Sequence, residues 1–215
     1  MYKHVITSAC PISPNSVKNS TDFINQIKNI KVPKNYIMAS FDIESMFNSI
    51  PIQLVLKSIK KRWEKIKKFT KLPQNEFLKG LDVLMNSLFF KYDDKYYKQV
   101  NGLPMGLSIS PIIADIVIQD IEEHVLSKYK NYIVFYRRYV DDSCIILNKR
   151  YLKNILDSFN NFNDRINFTH EIELCNQINF LDTLIIRDEH GHLSFDIYKK
   201  RIFQADISIT ILLTP

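Results

Sequence analysis

The sequence predicts an α+β fold, in which helices pack on one face of a mainly antiparallel sheet. Short apolar runs indicate the strands, and two of them, Tyr132–Val140 and Cys144–Leu147, flank a pair of acids as strands flank a hairpin turn. Apolar residues at three- and four-residue spacing indicate the helices, most clearly over Pro111–Tyr129. The length of 215 residues is enough for one compact domain, or for a domain and a fragment.

The first third of the chain alternates between irregular and regular patterns. Residues 1–35 are polar and irregular, apart from a short helical pattern over Ser20–Ile30. A buried strand follows over 36–42. Proline is well tolerated in the first turn of a helix, so helices are predicted over Pro51–Trp63 and from Pro73 to about Leu88.

The middle of the chain contains a hairpin and the longest predicted helix. The hairpin spans Phe89–Val100 and turns at Asp93-Asp94-Lys95. The loop Asn101–Gly106 then leads to Ser110, which is predicted to cap the helix Pro111–Tyr129.

The last third predicts one helix and three strands after the Asp141-Asp142 hairpin. The helix lies near Tyr151–Phe162. The strands lie near Ile166–Leu174, Phe180–Arg187 and Leu193–Tyr198, and the turn Asp188–Gly191 joins the last two.

Composition narrows the classes of function. The net charge of +6 suits a polyanionic partner. Basic residues are densest in Lys57–Lys68, and on one continuous helix Lys57, Lys61, Lys65 and Lys68 would share a face, which is also what an ordinary solvated helix shows. Four glycines leave no room for a glycine-rich phosphate loop.

Cysteine usage and hydropathy bear on location. The three cysteines, Cys10, Cys144 and Cys175, have neither zinc-site spacing nor the pattern of a disulfide framework. A reducing, intracellular location is therefore expected, with core packing as the role of Cys144. No apolar run approaches the length of a membrane span, so no membrane partner is expected.

The paired acids Asp141-Asp142 are the first candidate for chemistry. Two like charges about 4 Å apart repel by roughly 4 kcal/mol at an effective dielectric near 20, so a fold that keeps them together favours a bound cation. Asp42 falls where strand 36–42 ends, and a strand-end acid can converge with a hairpin-tip pair on hard cations. Taken singly, each feature also has an ordinary interpretation, as a solvated hairpin turn or a helix cap.

Three segments follow one another in a characteristic order: Phe41-Asp42 with Phe47, then Gly102–Gly106 with Ser108, Ser110 and Pro111, then Tyr139–Asp142. In this order and spacing the chain resembles the palm of a reverse transcriptase. The finer detail is most similar to the reverse transcriptases of Penelope-like retroelements, and telomerase is a more distant relative. Supporting segments are Val17–Phe23, Asn101–Asp115, Phe180–Asp182 and Leu193–Lys199, so that the resemblance covers residues 17–199.

The resemblance implies a set of catalytic and metal-binding residues. Asp42 and Asp141 would be the principal ligands of two Mg²⁺ ions, with Mn²⁺ able to substitute, and Asp142 would be the third carboxylate. All three would be catalytic. The segment Phe180-Leu181-Asp182 takes the place of the primer grip, where Asp182 would cap or pair rather than catalyse.

The resemblance also implies substrate contacts. The triphosphate of the incoming nucleotide would lie over the backbone of Ile43–Phe47, and Phe47 would exclude a 2′-hydroxyl beneath the sugar. Met105 and Gly106 would line the nucleotide and template, with glycine allowing close approach. Phe47 can equally be a core aromatic, and Gly106 can equally be a turn glycine.

By the same resemblance, residues 1–35 would be a residual fingers segment, 36–199 the palm, and 200–215 a truncated or divergent tail. The implied function is that of an RNA-directed DNA polymerase of a retroelement. Its partners would be an RNA template, a DNA primer and deoxynucleoside triphosphates, and its location intracellular, with the nucleus as one candidate. The alternatives are a decayed fragment that only binds nucleic acid, and an RNA-templated RNA polymerase, which Phe47 disfavours.

Overall fold

The structure is a computed structural model, and it describes residues 1–198. The predicted tail 200–215 and the last residue of the predicted palm, Lys199, lie outside the described residues. The α-helices within the described part are α1 (Tyr2–Ala9), α2 (Ser20–Ile27), α3 (Met46–Ser49), α4 (Ile52–Lys61), α5 (Trp63–Ile66), α6 (Gln74–Asn86), α7 (Ser110–Lys128) and α8 (Leu152–Asn160). The strands are β1 (Tyr36–Ile43), β2 (Phe89–Tyr92), β3 (Lys95–Lys98), β4 (Ile133–Tyr139), β5 (Asp142–Asn148), β6 (Phe168–Ile172), β7 (Gln177–Phe180), β8 (Thr183–Arg187) and β9 (Leu193–Ile197).

The central sheet has four antiparallel strands in the order β4-β5-β1-β6. Strand β1 lies inside it, and its alternate side chains face opposite sides of the sheet. Both faces of β1 are covered, which explains why its sequence is a nearly continuous apolar run. This arrangement places the carboxyl end of β1 beside the β4–β5 turn.

The main core lies between one face of this sheet and the helices α1, α4, α6, α7 and α8. From β1, Ala39, Phe41 and Ile43 enter it, and each is almost fully buried. A fully buried phenylalanine or isoleucine side chain contributes about 1.5–3 kcal/mol. Helix α7, with 19 residues, is buried along much of its length. Within residues 1–198, no helix is both long enough and apolar enough to cross a membrane.

The opposite face of the sheet carries a second, smaller core. Met38, Cys144 and Ile146 point into it and are fully buried, so Cys144 packs in a core as predicted. Helix α2 and the three-stranded sheet β7-β8-β9 cover this face. The predicted α+β class is confirmed, and the structure adds α2 and a small sheet on the face away from most helices.

One prediction about the first third of the chain was wrong, and one conditional pattern did not apply. Helix α1 lies within the segment predicted to be irregular, where it buries Val5, Ile6 and Ala9. The basic run does not form one helix, because the helical path breaks at Arg62, whose side chain binds Asp120 on α7. Lys57 and Lys61 therefore lie on α4, whereas Lys65 lies on α5 and Lys68 in the turn that follows it.

Two boundaries also differ from the predictions. The predicted strand Phe180–Arg187 is part of a hairpin, in which Leu181, at φ 56°, turns the chain between β7 and β8. Ser110 is the first residue of α7 rather than its cap. Its hydroxyl donates a hydrogen bond to the Pro104 carbonyl, which ties the helix to the preceding loop.

Candidate active site

The three predicted acids lie together at one end of the central sheet. Asp42 of β1 and Asp142 of β5 are direct partners in the antiparallel register, so their side chains project from the same face. Asp141 lies in the adjoining turn, where its carbonyl accepts a hydrogen bond from the Ile43 N–H at 3.3 Å. The sheet register therefore joins acids that are about one hundred residues apart in the sequence.

Burial and neighbouring charges raise the pKa values of two of these carboxylates, Asp42 and Asp142. The pKa of Asp142 is raised to about 7, first by burial and then by the charges of Asp42 and Asp141. Burial and the charge of Asp141 also raise the pKa of Asp42. Within residues 1–198 none of the three forms an ion pair with a lysine, arginine or histidine. The negative charge at this site is thus not balanced by a cationic side chain of residues 1–198.

The turn that carries Asp141 has an uncommon backbone conformation. Val140 and Asp141 connect the paired residues Tyr139 and Asp142, and Val140 has φ 57°. A positive φ is unfavourable for a β-branched residue, and such strain costs on the order of 1–3 kcal/mol. The Arg138 guanidinium helps to hold this conformation, because it donates a hydrogen bond to the Val140 carbonyl at 2.8 Å.

A cleft of about 290 Å³ opens beside the acids. Asp42 and Asp142 line it from the central sheet, and Asn179 lines it from β7. It also contains Glu171 of β6, a fourth carboxylate that sequence reasoning missed and whose charge contributes to the raised pKa values of Asp42 and Asp142. Glu171 is the partner of Ser40, two residues before Asp42 on the same face, so only the β1–β6 pairing reveals it.

Oxygen ligands of this kind suit a hard cation such as Mg²⁺. In the described part of the chain, however, no three histidine, cysteine or acidic side chains are grouped closely enough to hold a metal ion by themselves. Mg²⁺ commonly takes one or two carboxylates and completes its shell with water and substrate phosphates. The donor set therefore fits a cation that binds together with a phosphate-bearing substrate.

The backbone after β1 only partly fits its predicted role. The Ile43 N–H is engaged by Asp141, and the Glu44 N–H donates to the Asn167 carbonyl at 3.0 Å. The Ile43 side chain is buried in the main core. Neither this side chain nor the engaged N–H of Ile43 is therefore placed to contact a triphosphate. No hydrogen bond within residues 1–198 engages the N–H groups of 45–47, which narrows the predicted phosphate contact to that segment.

Phe47 belongs both to the core and to a cleft. It lies on the short helix α3, is partly buried, and packs against the main core. It also lines a second cleft of about 280 Å³, together with Val140 of the acidic turn and Pro111 of α7. The core interpretation and the substrate interpretation of Phe47 are therefore compatible.

The loop before α7 lies against the Phe47 backbone, a contact that the sequence analysis did not predict although it named Gly102 in the motif Gly102–Gly106. Gly102 has φ 75°, and a Cβ added there would lie 2.5 Å from the Asn48 Cα. The next residue, Leu103, donates its N–H to the Phe47 carbonyl at 2.6 Å. The dipeptide Asn101-Gly102 is the sequence signal that could have identified this close approach.

Met105 and Gly106, the predicted nucleotide and template contacts, are both solvent-exposed. Gly106 lacks a positive φ, and a Cβ added there would meet no described atom within 4 Å. A turn requirement therefore does not explain this glycine. The space around the Gly106 Cα, which no described atom occupies, would allow a substrate to approach the backbone closely.

Asp182 pairs within the chain, as the sequence suggested. Its carboxylate accepts a hydrogen bond from the Ser20 hydroxyl at the start of α2, and its carbonyl accepts the Tyr198 N–H at 2.8 Å. Phe180 is buried in the second core. The turn is thereby tied to α2 and to the end of β9.

Comparison with known proteins gives a family and a fold. The family model described as "Reverse transcriptase (RNA-dependent DNA polymerase)" matches residues 3–178. Telomerase from Candida albicans, solved with a fragment of telomeric RNA, is similar over 91% of this chain and 38% of that chain, with a TM-score of 0.65 and 14% identity. Apo telomerase from Candida tropicalis is similar over 91% and 39%, with a TM-score of 0.61 and 15% identity.

A viral polymerase has a similar fold. The RNA-dependent RNA polymerase of BmCPV at its quiescent state matches over 86% of this chain and 19% of that chain, with a TM-score of 0.61 and 13% identity. No curated protein matched the sequence. The present chain spans about two fifths of the length of the telomerases, and at these identities the likeness shows a shared fold.

Proposed function

The chain belongs to the reverse transcriptase (RNA-dependent DNA polymerase) family, and we propose that it is the palm of a retroelement polymerase that adds deoxynucleotides to a primer 3′-hydroxyl. The observation that carries the proposal is the convergence of Asp42, Asp141 and Asp142 with no cationic partner in the described part. A strand end and a neighbouring turn hold these acids, so their spacing is set before substrate binds.

In this proposal Asp42 and Asp141 hold two Mg²⁺ ions, and Asp142 supports them as the third carboxylate. When bound, such a pair of cations activates the attacking hydroxyl oxygen and stabilises the leaving oxygen. The carboxylates bind in their ionised form, so Asp142 must lose the proton that its raised pKa retains near neutrality. Mn²⁺ can substitute because it accepts the same oxygen ligands.

The remaining residues of the site position the nucleotide. The free N–H groups of 45–47 donate to the triphosphate, and the Phe47 ring lies under the sugar and excludes a 2′-hydroxyl. Met105 and the open surface at Gly106 accept the base and the template strand. Phosphoryl transfer depends mainly on such positioning and on charge stabilisation.

The template and primer follow from the family rather than from any contact seen here. We propose an RNA template and a DNA primer, which the net charge of +6 suits, and a Penelope-like origin, which the segments Val17–Phe23 and Phe180–Asp182 support. An intracellular location, with the nucleus as one candidate, remains part of the proposal. RNA polymerases share this fold, and Phe47 is the residue that favours deoxynucleotides over ribonucleotides.

Primer extension tests the proposal directly. The purified chain is given RNA or DNA templates with deoxynucleotides or ribonucleotides, alongside Asp141→Asn and the control Asp94→Asn, which alters an exposed acid at the tip of the β2–β3 hairpin. We expect any extension to use deoxynucleotides on RNA, to be lost in Asp141→Asn and to persist in Asp94→Asn. Ribonucleotide use would favour an RNA polymerase, and binding without extension would favour an inactive fragment.

A further inference from the structure

A buried ionic network lies behind the acidic turn. Arg138 of β4 and Glu122 of α7 are 2% and 1% exposed. The Arg138 Nε donates to the Glu122 Oε1 at 2.5 Å, and its Nη2 donates to the Asp115 Oδ1 at 2.7 Å. The two acids lie seven residues apart, on one face of α7.

Other groups of the chain hold this network in place. Glu122 accepts hydrogen bonds from the Tyr136 hydroxyl at 3.1 Å and from the Ser13 hydroxyl at 2.9 Å. The backbone of Arg138 is fixed as well, since its N–H donates to the Asn15 carbonyl at 2.8 Å. The guanidinium therefore has little freedom to move.

The third nitrogen of the Arg138 guanidinium, Nη1, contacts the turn itself. It donates to the carbonyl of Val140, the residue with positive φ, at 2.8 Å. The next carbonyl, that of Asp141, accepts the Ile43 N–H. Two consecutive peptide groups on either side of the Asp141 Cα are thus fixed, one by Arg138 and one by β1.

Stability alone is a weak explanation for such a network. Buried ion pairs can often be replaced by apolar residues of similar volume without loss of stability. The guanidinium instead offers several donors in one plane, which is the geometry needed to bind two carboxylates and a carbonyl at once.

We propose that Arg138, held by Glu122 and Asp115, is a positioning residue that sets the place of the Asp141 carboxylate relative to Asp42. It lines the same cleft as Phe47 and Val140, and it acts on the turn through the Val140 carbonyl. The inference rests on the proposed function, because it concerns the metal site assigned to Asp42 and Asp141.

The test is a titration with Mn²⁺ alone, in which electron paramagnetic resonance measures the free ion. The variants are Arg138→Lys, which cannot reproduce the planar set of bonds, and the milder Asp115→Asn. The control is Asp120→Asn, a buried carboxylate on the same helix that pairs with Lys61 and Arg62, away from the turn. Urea denaturation of each variant shows how much stability it has lost.

We expect Arg138→Lys and Asp115→Asn to weaken Mn²⁺ binding about 10-fold or more, as is common when a group supporting a metal ligand is lost. Asp120→Asn should bind Mn²⁺ like the wild type, even where it loses as much stability. If Arg138→Lys does not fold, Asp115→Asn decides.

Unchanged binding in folded Asp115→Asn, or equal weakening in Asp120→Asn, would overturn the positioning role. A wild-type chain that binds no more Mn²⁺ than Asp141→Asn would mean that the proposed metal site itself has failed. That result differs from failure of the positioning role alone, in which wild-type binding is retained.

Discussion

Asp42 and Asp142 are direct cross-strand partners at the end of the central sheet, with Asp141 in the adjoining turn. Like charges at directly opposed positions destabilise a sheet. Burial and the neighbouring acids raise the pKa of Asp142 to about 7, which shows how strongly the fold disfavours its ionised form. In the proposed function, a bound cation would offset this repulsion between the acids.

This relationship predicts that Asp142→Asn stabilises the metal-free protein at pH 8. The pKa of Asp142 is near 3.9 when unfolded and about 7 when folded, so the folded state retains a proton that the unfolded state has lost. Stability should fall as pH rises through this window. After allowance for solvent screening, the variant should gain about 1–2 kcal/mol at pH 8 and almost nothing at pH 4.

Urea denaturation at both pH values, without divalent ions, measures this difference. Asp94→Asn, at an exposed hairpin tip, is the matched control for the loss of one acidic charge. Lower stability of Asp142→Asn than of the wild type at pH 8 would show that repulsion between the acids does not destabilise the folded protein.

Phe47→Val should increase the use of ribonucleotides relative to deoxynucleotides, because a smaller side chain leaves room for a 2′-hydroxyl. The measurement is the ratio of deoxynucleotide to ribonucleotide incorporated in single-nucleotide additions to a primer. Phe47 also packs on the core, so some loss of stability is expected as well. Sugar discrimination equal to that of the wild type would leave Phe47 with a packing role only.

Two glycines of one loop should respond differently to alanine. Gly102→Ala should cost about 1–3 kcal/mol, since its φ is positive. The added Cβ would also lie 2.5 Å from the Asn48 Cα. Gly106→Ala meets open space and should keep or slightly raise stability, by up to about 1 kcal/mol.

If a substrate approaches Gly106 closely, its alanine variant should still weaken binding of dTTP in the presence of Mn²⁺. Urea denaturation and dTTP titration together separate the two effects. A stable Gly106→Ala protein with unchanged dTTP binding would remove Gly106 from the site.

The purified 215 residues should bind nucleic acid in a salt-sensitive way and extend a primer poorly. Lys57, Lys65 and Lys68 are exposed and can contact phosphates, whereas Lys61 is engaged by Asp120 and Glu123. For a single strand, each phosphate contact should make the slope of the logarithm of the binding constant against the logarithm of salt concentration more negative by about 0.7. These contacts do not orient a triphosphate, and the chain spans only about two fifths of the telomerases it resembles in fold.

Binding of a labelled single strand between 50 and 200 mM salt, beside primer extension, tests this expectation. Strong templated synthesis that Asp141→Asn abolishes would contradict the expected weakness. Binding that is insensitive to salt would contradict the electrostatic account.

Local patterns were enough to predict the parts of the site that depend on strand ends. The apolar run before Asp42 and the two runs around Asp141-Asp142 gave β1, β4 and β5 nearly as observed. The order of the three segments Phe41–Phe47, Gly102–Pro111 and Tyr139–Asp142 predicted the family. Helix α1 was missed because its buried positions, including Val5 and Ile6, are few and lie within a polar segment.

What the sequence did not reveal depends on contacts between distant residues. Glu171 approaches the acids only through the β1–β6 pairing. Helix α4 ends at Arg62, whose side chain binds Asp120 on α7. Helix propensities of the neighbouring residues cannot predict this end, because it involves a residue on another helix. The bond between Arg138 and Glu122 likewise requires β4 to pack against α7, and no spacing rule predicts it.

The central claim is that Asp42 and Asp141 hold divalent cations, and Mn²⁺ titration with and without dTTP tests it most directly. Residues 1–198 contain two Asp-Asp hairpin tips, and of these two only Asp141-Asp142 lies beside a third acid on a neighbouring strand. We predict weak Mn²⁺ binding by the wild type, strengthened by dTTP, retained in Asp94→Asn and lost in Asp141→Asn. Mn²⁺ binding by Asp141→Asn equal to that of the wild type, with or without dTTP, would contradict the account.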